Sequence, residues 1–513
     1  MKTLQSPNHH NARTIHQTQT PSTSRNVATV DPTKGSSYSS GSLKTNLKTI
    51  PTELGSTSTT SENQMDNEKE KNHRHVTQEC LPTIDTSDVL TPFKIYVYDL
   101  PSDFNTDIRR TMTDNSRFSF CYNLDYCGTG EELYQLGNDG LTSESQPKSI
   151  ISVRNTNQFS LETIIHYKML NSPYRTLDPD AADVFYIPAY SGLNCLQFNK
   201  DSKEFVDKLF NYLKTNQSQY FLSGKPHVLT LSKIQREQGS LNCPILLNPN
   251  THNITFVGIE KEAHPYWSSS DQVKGRSLIV APYPSYVHFL PNISDTTLYE
   301  FDAELTFLNT SKFNFDTPDL PERNVLLFLA AGIRRSNHFR AQLLDQFPIQ
   351  LSKHYDKYSE ELQNKGEPMP EQIMLITSEC SEEHRSTTVP WMMKSKYCLQ
   401  PPGDSPTRKS FYDAILSGCI PILFTNQYHV VYPFDKYINY DDFSYTIDQT
   451  LLANKTVLEI VKEIPHEKTE TRHKNLRRLA KWFQYSLSNA DINDSDDAFT
   501  FVLHEIAKNH KLY

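Results

Sequence analysis

The stretch Tyr397-Cys398-Leu399-Gln400-Pro401-Pro402-Gly403-Asp404-Ser405-Pro406-Thr407-Arg408-Lys409-Ser410-Phe411-Tyr412-Asp413-Ala414-Ile415-Leu416-Ser417-Gly418-Cys419-Ile420-Pro421 reads as strand, loop, helix and strand. Ser405 is a good helix N-cap and Pro406 suits a first turn, so a helix is expected over 407–416, with Gly418 at its exit. Arg408 and Lys409 then fall in the first turn, where free N–H groups already make the helix end positive. Each exposed cation there costs roughly 0.3–1 kcal/mol. An anion removes the conflict, because N–H groups, helix dipole and two cations would converge on a phosphate together with Gly403, Asp404, Ser405, Thr407 and Ser410. The plainer alternative leaves both side chains in water. Asp413 either accepts from ribose hydroxyls or pairs with Lys409 one turn back.

Outward from this segment, helices and apolar strands alternate. Strands are expected at 324–329, 372–376 and 420–424, with helices at 337–347 and 389–394. The pattern also runs earlier in the chain. A strand at 94–99 stops at Leu100-Pro101, and a helix at 158–170 places Leu161, Ile164, Ile165 and Met169 on one face. Strands follow at 182–187, 227–231 and 277–281, with a helix at 205–213 between the first two. Such alternation predicts an α/β fold of two doubly wound, parallel-sheet halves, with ligands at the carboxyl ends of the strands. The expected organisation is a disordered polar tail over 1–92, an N-terminal Rossmann-like domain over 93–315 and a C-terminal one over 316–465. A linker lies near 309–322, and a helical segment over 466–513 carries Leu476, Leu479, Trp482 and Phe483.

The chain has 513 residues, enough for two or three domains, and its net charge of -9 argues against a general nucleic-acid binder. Its most apolar run, 325–333, is far shorter than the roughly 20 residues a membrane span needs, and no secretory signal is seen. The eight cysteines lack zinc spacing, and no metal site is expected. A small disulfide loop between Cys121 and Cys127 is plausible, whereas Cys398 and Cys419 lie in apolar runs where buried free thiols are expected. Glycosylation sequons occur at Asn216, Asn253, Asn292, Asn309, Asn454 and Asn493, a number that an Asn/Ser/Thr-rich chain could reach by chance.

The motif Cys398-Leu399-Gln400-Pro401-Pro402-Gly403-Asp404-Ser405, the step Thr407-Arg408-Lys409-Ser410 and Gly418-Cys419-Ile420-Pro421 resemble the signature of glycosyltransferase family 47, the exostosin family, in its plant xyloglucan galactosyltransferase branch. Further pieces stand in the family's order. They are Ile95-Tyr96-Val97-Tyr98-Asp99-Leu100-Pro101, Gln158-Phe159 with Leu161-Glu162, Asp183-Val184-Phe185-Tyr186-Ile187-Pro188, Pro282-Tyr283-Pro284-Ser285-Tyr286 with His288, and Glu379-Cys380. The resemblance covers about 93–447. It implies a glycosyltransferase B-type fold, two Rossmann-like domains facing a cleft. It also implies inverting transfer from a nucleotide-sugar, usually a UDP-sugar, to a glycan acceptor, with no metal cofactor required. Residence in the Golgi with a membrane anchor is implied too, although the polar N-terminal region carries no anchor. A second departure is Ala330-Ala331-Gly332, where the family commonly has Phe-Ala-Gly before the basic residue.

Inverting transfer needs a base on the acceptor hydroxyl and electrostatic stabilisation of the leaving group. The leaving group falls to Arg408 and Lys409, with Arg334 as helper. Glu162 and His288 are the candidate bases, against structural readings as a helix-surface carboxylate and a hydrogen-bonded imidazole. His264, Tyr266 and Trp267 are candidates for stacking on the acceptor sugar, against a reading as a small satellite core. An inactive glycan-binding protein on the same fold is the alternative. A sugar-phosphate kinase would need a G-x-x-x-x-G-K-[ST] loop, which is absent from the sequence.

Overall fold

The computed structural model describes residues 92–114, 124–137, 149–198, 202–262, 277–289, 323–331, 338–346, 373–376, 382–403, 405–425, 430–487 and 497–512, all within one compact unit, His75–Tyr513. The expected tail and the linker near 309–322 lie outside these residues.

Two parallel sheets organise the unit. The first has the spatial order Arg175–Thr176, Ile95–Val97, Val184–Ile187, His227–Leu231, Ile254–Gly258, Ser277–Val280. The second runs Ile373–Ile376, Val325–Ala330, Ser395–Leu399, Ile420–Thr425, Tyr445–Asp448. The central strands Val184–Ile187 and His227–Leu231 are buried at every residue, as strands covered on both faces must be. Helix Ser202–Asn216 buries Phe205, Val206, Leu209, Phe210 and Leu213, one apolar stripe at helical spacing. The two-lobed α/β arrangement expected from the alternation is therefore the one observed.

Several elements differ from expectation. Strand Ile254–Gly258 was not anticipated, because Thr255 and Gly258 interrupt its apolar run. A three-stranded antiparallel sheet, Val287–Phe289 with Ser149–Arg154 and Glu132–Gly137, was likewise illegible locally. The C-terminal helix His466–Leu479 stops before Trp482 and Phe483, which sit buried in a 3-10 turn, Ala480–Phe483. The chain then returns to the first sheet. Tyr485 donates its hydroxyl to the Pro282 carbonyl (2.9 Å), and Lys168 pairs with buried Asp497 at 2.7 Å. Asp497 also caps the last helix, Ala498–His510, by accepting from the N–H groups of Phe499 and Thr500. No described helix is long and apolar enough to cross a membrane.

The expectation of free thiols at Cys398 and Cys419 is corrected: the two form a disulfide, with Cα atoms 5.7 Å apart. Parallel pairing sets Cys398 opposite Pro421, and Cys419, two residues before Pro421 and immediately before that strand, comes within bonding reach. A second disulfide, Cys195–Cys243, joins residues 48 apart in sequence. Cys127 is disulfide-bonded as well, whereas Cys121 lies outside the described residues.

Candidate functional site

The carboxyl ends of both sheets open on one cleft of about 300 Å³. From the first sheet it is lined by Ile234 and Glu237 after strand His227–Leu231, by Ile259 after Ile254–Gly258, and by Tyr283 and Tyr286 after Ser277–Val280. From the second come Ala330, Arg340, Gly403, Ser405, Thr407, Arg408, Lys409, Ser410 and Asp413. Strand ends supply backbone that turns sharply away from the sheet, so side chains of several elements meet there.

The loop before the central helix departs from expectation. That helix is Lys409–Leu416, and its N-cap is Arg408 in extended backbone (φ −161°, ψ 151°), not Ser405. The reason lies in the other lobe. Glu260, fully buried, accepts from the Ser405 hydroxyl (2.8 Å), from the Thr407 N–H (3.1 Å) and from the Thr407 hydroxyl. These bonds hold 405–407 out of the helix and delay its start by two residues. Burial raises the Glu260 carboxyl above the ordinary carboxylate range, against the pull of the same hydrogen bonds. The helix exit is as expected: Gly418 has φ +70°, and its N–H donates to Ile415 O.

Arg408 donates to the carbonyls of Ala330 (2.6 Å) and Pro401 (3.2 Å). Arg340, on helix His338–Asp345, donates to the Pro402 carbonyl at 3.1 Å. Burial first and the Arg340 charge second bring the Arg408 guanidinium down to about 9, so it stays protonated at neutral pH. Two like charges thus share one wall of the cleft, held by backbone oxygens. Lys409 is nearly buried. Its ammonium lies 2.8 and 3.0 Å from the two oxygens of Asp413 and 3.0 Å from the centre of the Tyr286 ring. Asp413 also accepts from the Ser285 hydroxyl (2.7 Å) and the Tyr286 N–H (3.0 Å), both from the opposite lobe. Of the two readings of Asp413, the structure displays the ion pair with Lys409.

Glu162 and His288 do not line the cleft. Glu162 is fully buried and caps helix Ser191–Phe198: its carboxylate accepts from Gly192 N (2.7 Å), Leu193 N (3.1 Å) and Ser232 N (3.3 Å). A Cβ on Gly192 would stand 3.0 Å from Glu162 Oε1, so this capping depends on glycine. Burial pushes the Glu162 carboxyl up to about 7. His288 sits between Tyr485 O (2.9 Å from Nδ1) and Thr156 Oγ1 (3.0 Å from Nε2), and burial pulls it down to about 3. His288 is the hydrogen-bonded imidazole of its structural reading, whereas Glu162 is not the helix-surface carboxylate of its own: it is buried and bonded to backbone N–H groups. Arg334, Asp404, His264, Tyr266 and Trp267 lie outside the described residues. Among the described residues, no group of three or more His, Cys, Asp or Glu could hold a metal ion.

The exostosin GT47 domain matches residues 90–464. The chain belongs to the exostosin GT47 family. Among Arabidopsis thaliana relatives, this GT47 chain is 26% identical to xyloglucan-specific galacturonosyltransferase 1 over 81% of its own length and 56% of that protein's. It is 26% identical to probable xyloglucan galactosyltransferase GT17, covering 81% of this chain and 82% of that one. With xyloglucan galactosyltransferase XLT2 the identity is 28%, over 82% and 75% respectively. The match therefore spans little more than half of the first of these proteins. Similar solved structures include Anabaena Alr3699/HepE in complex with UDP-glucose, at 12% identity over 64% of this chain and 79% of that chain, with a TM-score of 0.32. WaaG, a glycosyltransferase involved in lipopolysaccharide biosynthesis, is 11% identical over 63% and 90%, with a TM-score of 0.28. Overlap of this extent transfers neither a ligand position nor a residue role to this GT47 domain.

Among the polar cleft residues, sequence reasoning missed Glu237, Arg340 and Thr388, and behind the cleft it missed buried Glu260, which holds 405–407. Arg340 follows Arg334-Arg335 by one helical turn and a half, a basic spacing that could have flagged it. Nothing local to Glu237 or Glu260 marks either one; Glu260 gains its role from Ser405 and Thr407, which the other lobe places against it.

Proposed function

We propose that this GT47 chain is an inverting glycosyltransferase that takes a sugar from a UDP-sugar and passes it to a glycan acceptor. One observation carries the reading: Arg340 and Arg408, two guanidiniums held by carbonyl oxygens, share a cleft wall with the start of helix Lys409–Leu416. Two guanidiniums on one wall beside a helix start suit an anion, and a diphosphate leaving group is such an anion. Gly403 lets the loop approach closely, because a Cβ there would stand 3.1 Å from Arg340 Nη2. Thr407, Ser405 and Ser410 shape the same loop, and Lys409 adds positive field from behind. The family resemblance supplies the uridine part of the donor; the names of the Arabidopsis relatives favour a polysaccharide acceptor.

The base is assigned to Glu237. Among the described residues lining the cleft, it is the carboxylate contributed by the first lobe; the other lining carboxylate, Asp413, is tied to Lys409. Glu237 is half-exposed, with Lys233 Nζ at 3.4 Å. In the reaction the acceptor oxygen bonds to the sugar C1 as the C1–O bond to phosphate breaks. The hydroxyl proton passes to Glu237, and UDP departs against the cations. Glu162 and His288 are assigned to holding the first lobe in shape. A Golgi-type lumen is the assigned location, from the family resemblance and from the disulfides, which form in oxidising compartments.

Arg408→Ala tests the reading. Hydrogen bonds to a charged group contribute about 1.5–3 kcal/mol, which is roughly a 10- to 100-fold loss of UDP affinity by calorimetry. Turnover of a UDP-sugar panel should fall with it while the circular dichroism spectrum stays unchanged. Undiminished UDP binding in the variant refutes the assignment. A native protein that binds glycans yet turns over no nucleotide-sugar favours the inactive glycan-binding alternative.

A further inference from the structure

Six sequons are scattered through the sequence, and by themselves they are uninformative in a chain rich in Asn, Ser and Thr. The structure adds two independent observations. The first is position. Three of the sequon asparagines fall among the described residues, Asn216, Asn253 and Asn454, and all three are exposed. Asn216 ends helix Ser202–Asn216, which leads into strand His227–Leu231. Asn253 occupies the turn just before strand Ile254–Gly258. Both therefore stand at the amino ends of parallel strands, opposite the carboxyl ends that open on the cleft. Asn454 caps the carboxyl end of the 3-10 turn Gln449–Ala453, beyond the edge strand Tyr445–Asp448. A bulky group on any of the three meets solvent, and on the first lobe it leaves the cleft open.

The second observation is the pair of buried disulfides, Cys195–Cys243 and Cys398–Cys419. Disulfides persist in the oxidising secretory lumen and are rare in the cytosol. That lumen is also where sequons are modified. The disulfides convert the sequons from a compositional accident into substrates exposed to the relevant chemistry.

We propose that the protein carries N-linked glycans at Asn216, Asn253 and Asn454. At each site the amide Nδ2 bonds to C1 of an oligosaccharide carried on a lipid pyrophosphate. The C1–O bond to that pyrophosphate breaks, and the amide proton leaves with the released lipid pyrophosphate. For Asn253 the structure also orders events. The hydroxyl of its sequon partner Thr255 is buried and lies 3.0 Å from His510 Nε2 in the last helix. Once that helix docks, the hydroxyl is no longer available to a modifying enzyme, so Asn253 is modified before the C-terminus folds back. Nothing in this inference depends on which sugar the cleft transfers.

The test is to produce the full chain in a eukaryotic cell, purify it, and map it by mass spectrometry after peptide N-glycosidase digestion in heavy-oxygen water. The same preparation is mapped without reduction for the Cys195–Cys243 link. The expected result is a labelled aspartate at positions 216, 253 and 454, with N216Q, N253Q and N454Q each removing one step of gel mobility. An unmodified asparagine at any position removes that site. Three unmodified asparagines overturn the proposal, whether the disulfide has formed or the thiols are free.

Discussion

Replacing Asp413 by Asn probes the contact that joins the lobes beside the cleft. Asp413 is 2% exposed and Lys409 is 10% exposed at the side chain, so their pair is shielded from water and from salt. Asparagine keeps the volume and one oxygen to accept from Ser285 and Tyr286, but it removes the charge opposite Lys409. The buried ammonium then loses the opposite charge beside it and keeps the Tyr286 ring against it. Breaking a buried pair from one side costs about 3–5 kcal/mol, and the retained hydrogen bonds place D413N near about 3. That is roughly a 100-fold change in the unfolding constant. Replacing both partners, K409M with D413N, leaves no orphan charge and should recover most of the loss. The assay is urea unfolding at neutral pH, followed by far-ultraviolet circular dichroism and by fluorescence of the buried Trp482. A D413N midpoint equal to that of the parent refutes the reasoning. So does a double variant whose loss equals the sum of the single losses.

Glu162 and His288 predict pH effects of opposite sign. The Glu162 carboxyl rises from 4.5 to about 7, so between those values the folded protein keeps a proton that the unfolded chain has released. Stability should therefore fall as pH rises through that window, by on the order of 3 kcal/mol at ~1.4 kcal/mol per unit. Glu162→Gln should flatten that slope in urea midpoints measured from pH about 5 to about 7; an unchanged slope contradicts the assignment. His288 drops from 6.5 to about 3, so the unfolded chain gains a proton that the folded one refuses, and stability falls as pH drops below about 6.5. His288→Gln should remove that acid sensitivity. Removing the Cys398–Cys419 link, which closes a loop of 21 residues' separation, should cost about 3 kcal/mol of stability. Thermal unfolding of C398A/C419A beside the parent checks this, and equal midpoints would mean that the link adds nothing.

The parts of this protein legible from sequence were those whose cause is local. Continuous apolar runs such as His227–Leu231 and Ile420–Thr425 announced buried parallel strands, and apolar spacing announced helices such as Leu161–Leu170. Gly418 marked a helix exit because only a residue tolerant of positive φ fits there. The cationic step Arg408-Lys409 was visible for the same reason: its conflict with a helix start is written in consecutive residues. The helix boundary beside that step was not. Ser405 has the chemistry of an N-cap, yet its hydroxyl goes to Glu260, 145 residues away, and the helix begins at Lys409 instead. From sequence Glu162 and His288 could be read as bases or as structural groups; their partners, Gly192 and Leu193 for the first and Thr156 and Tyr485 for the second, come from distant segments. Arg340 gained its place beside Arg408 only when two strand ends met. Propensity and periodicity act over a few residues and so can be read along the chain. The partners that decide what a polar side chain does came from distant segments, and only the packed structure brings those together.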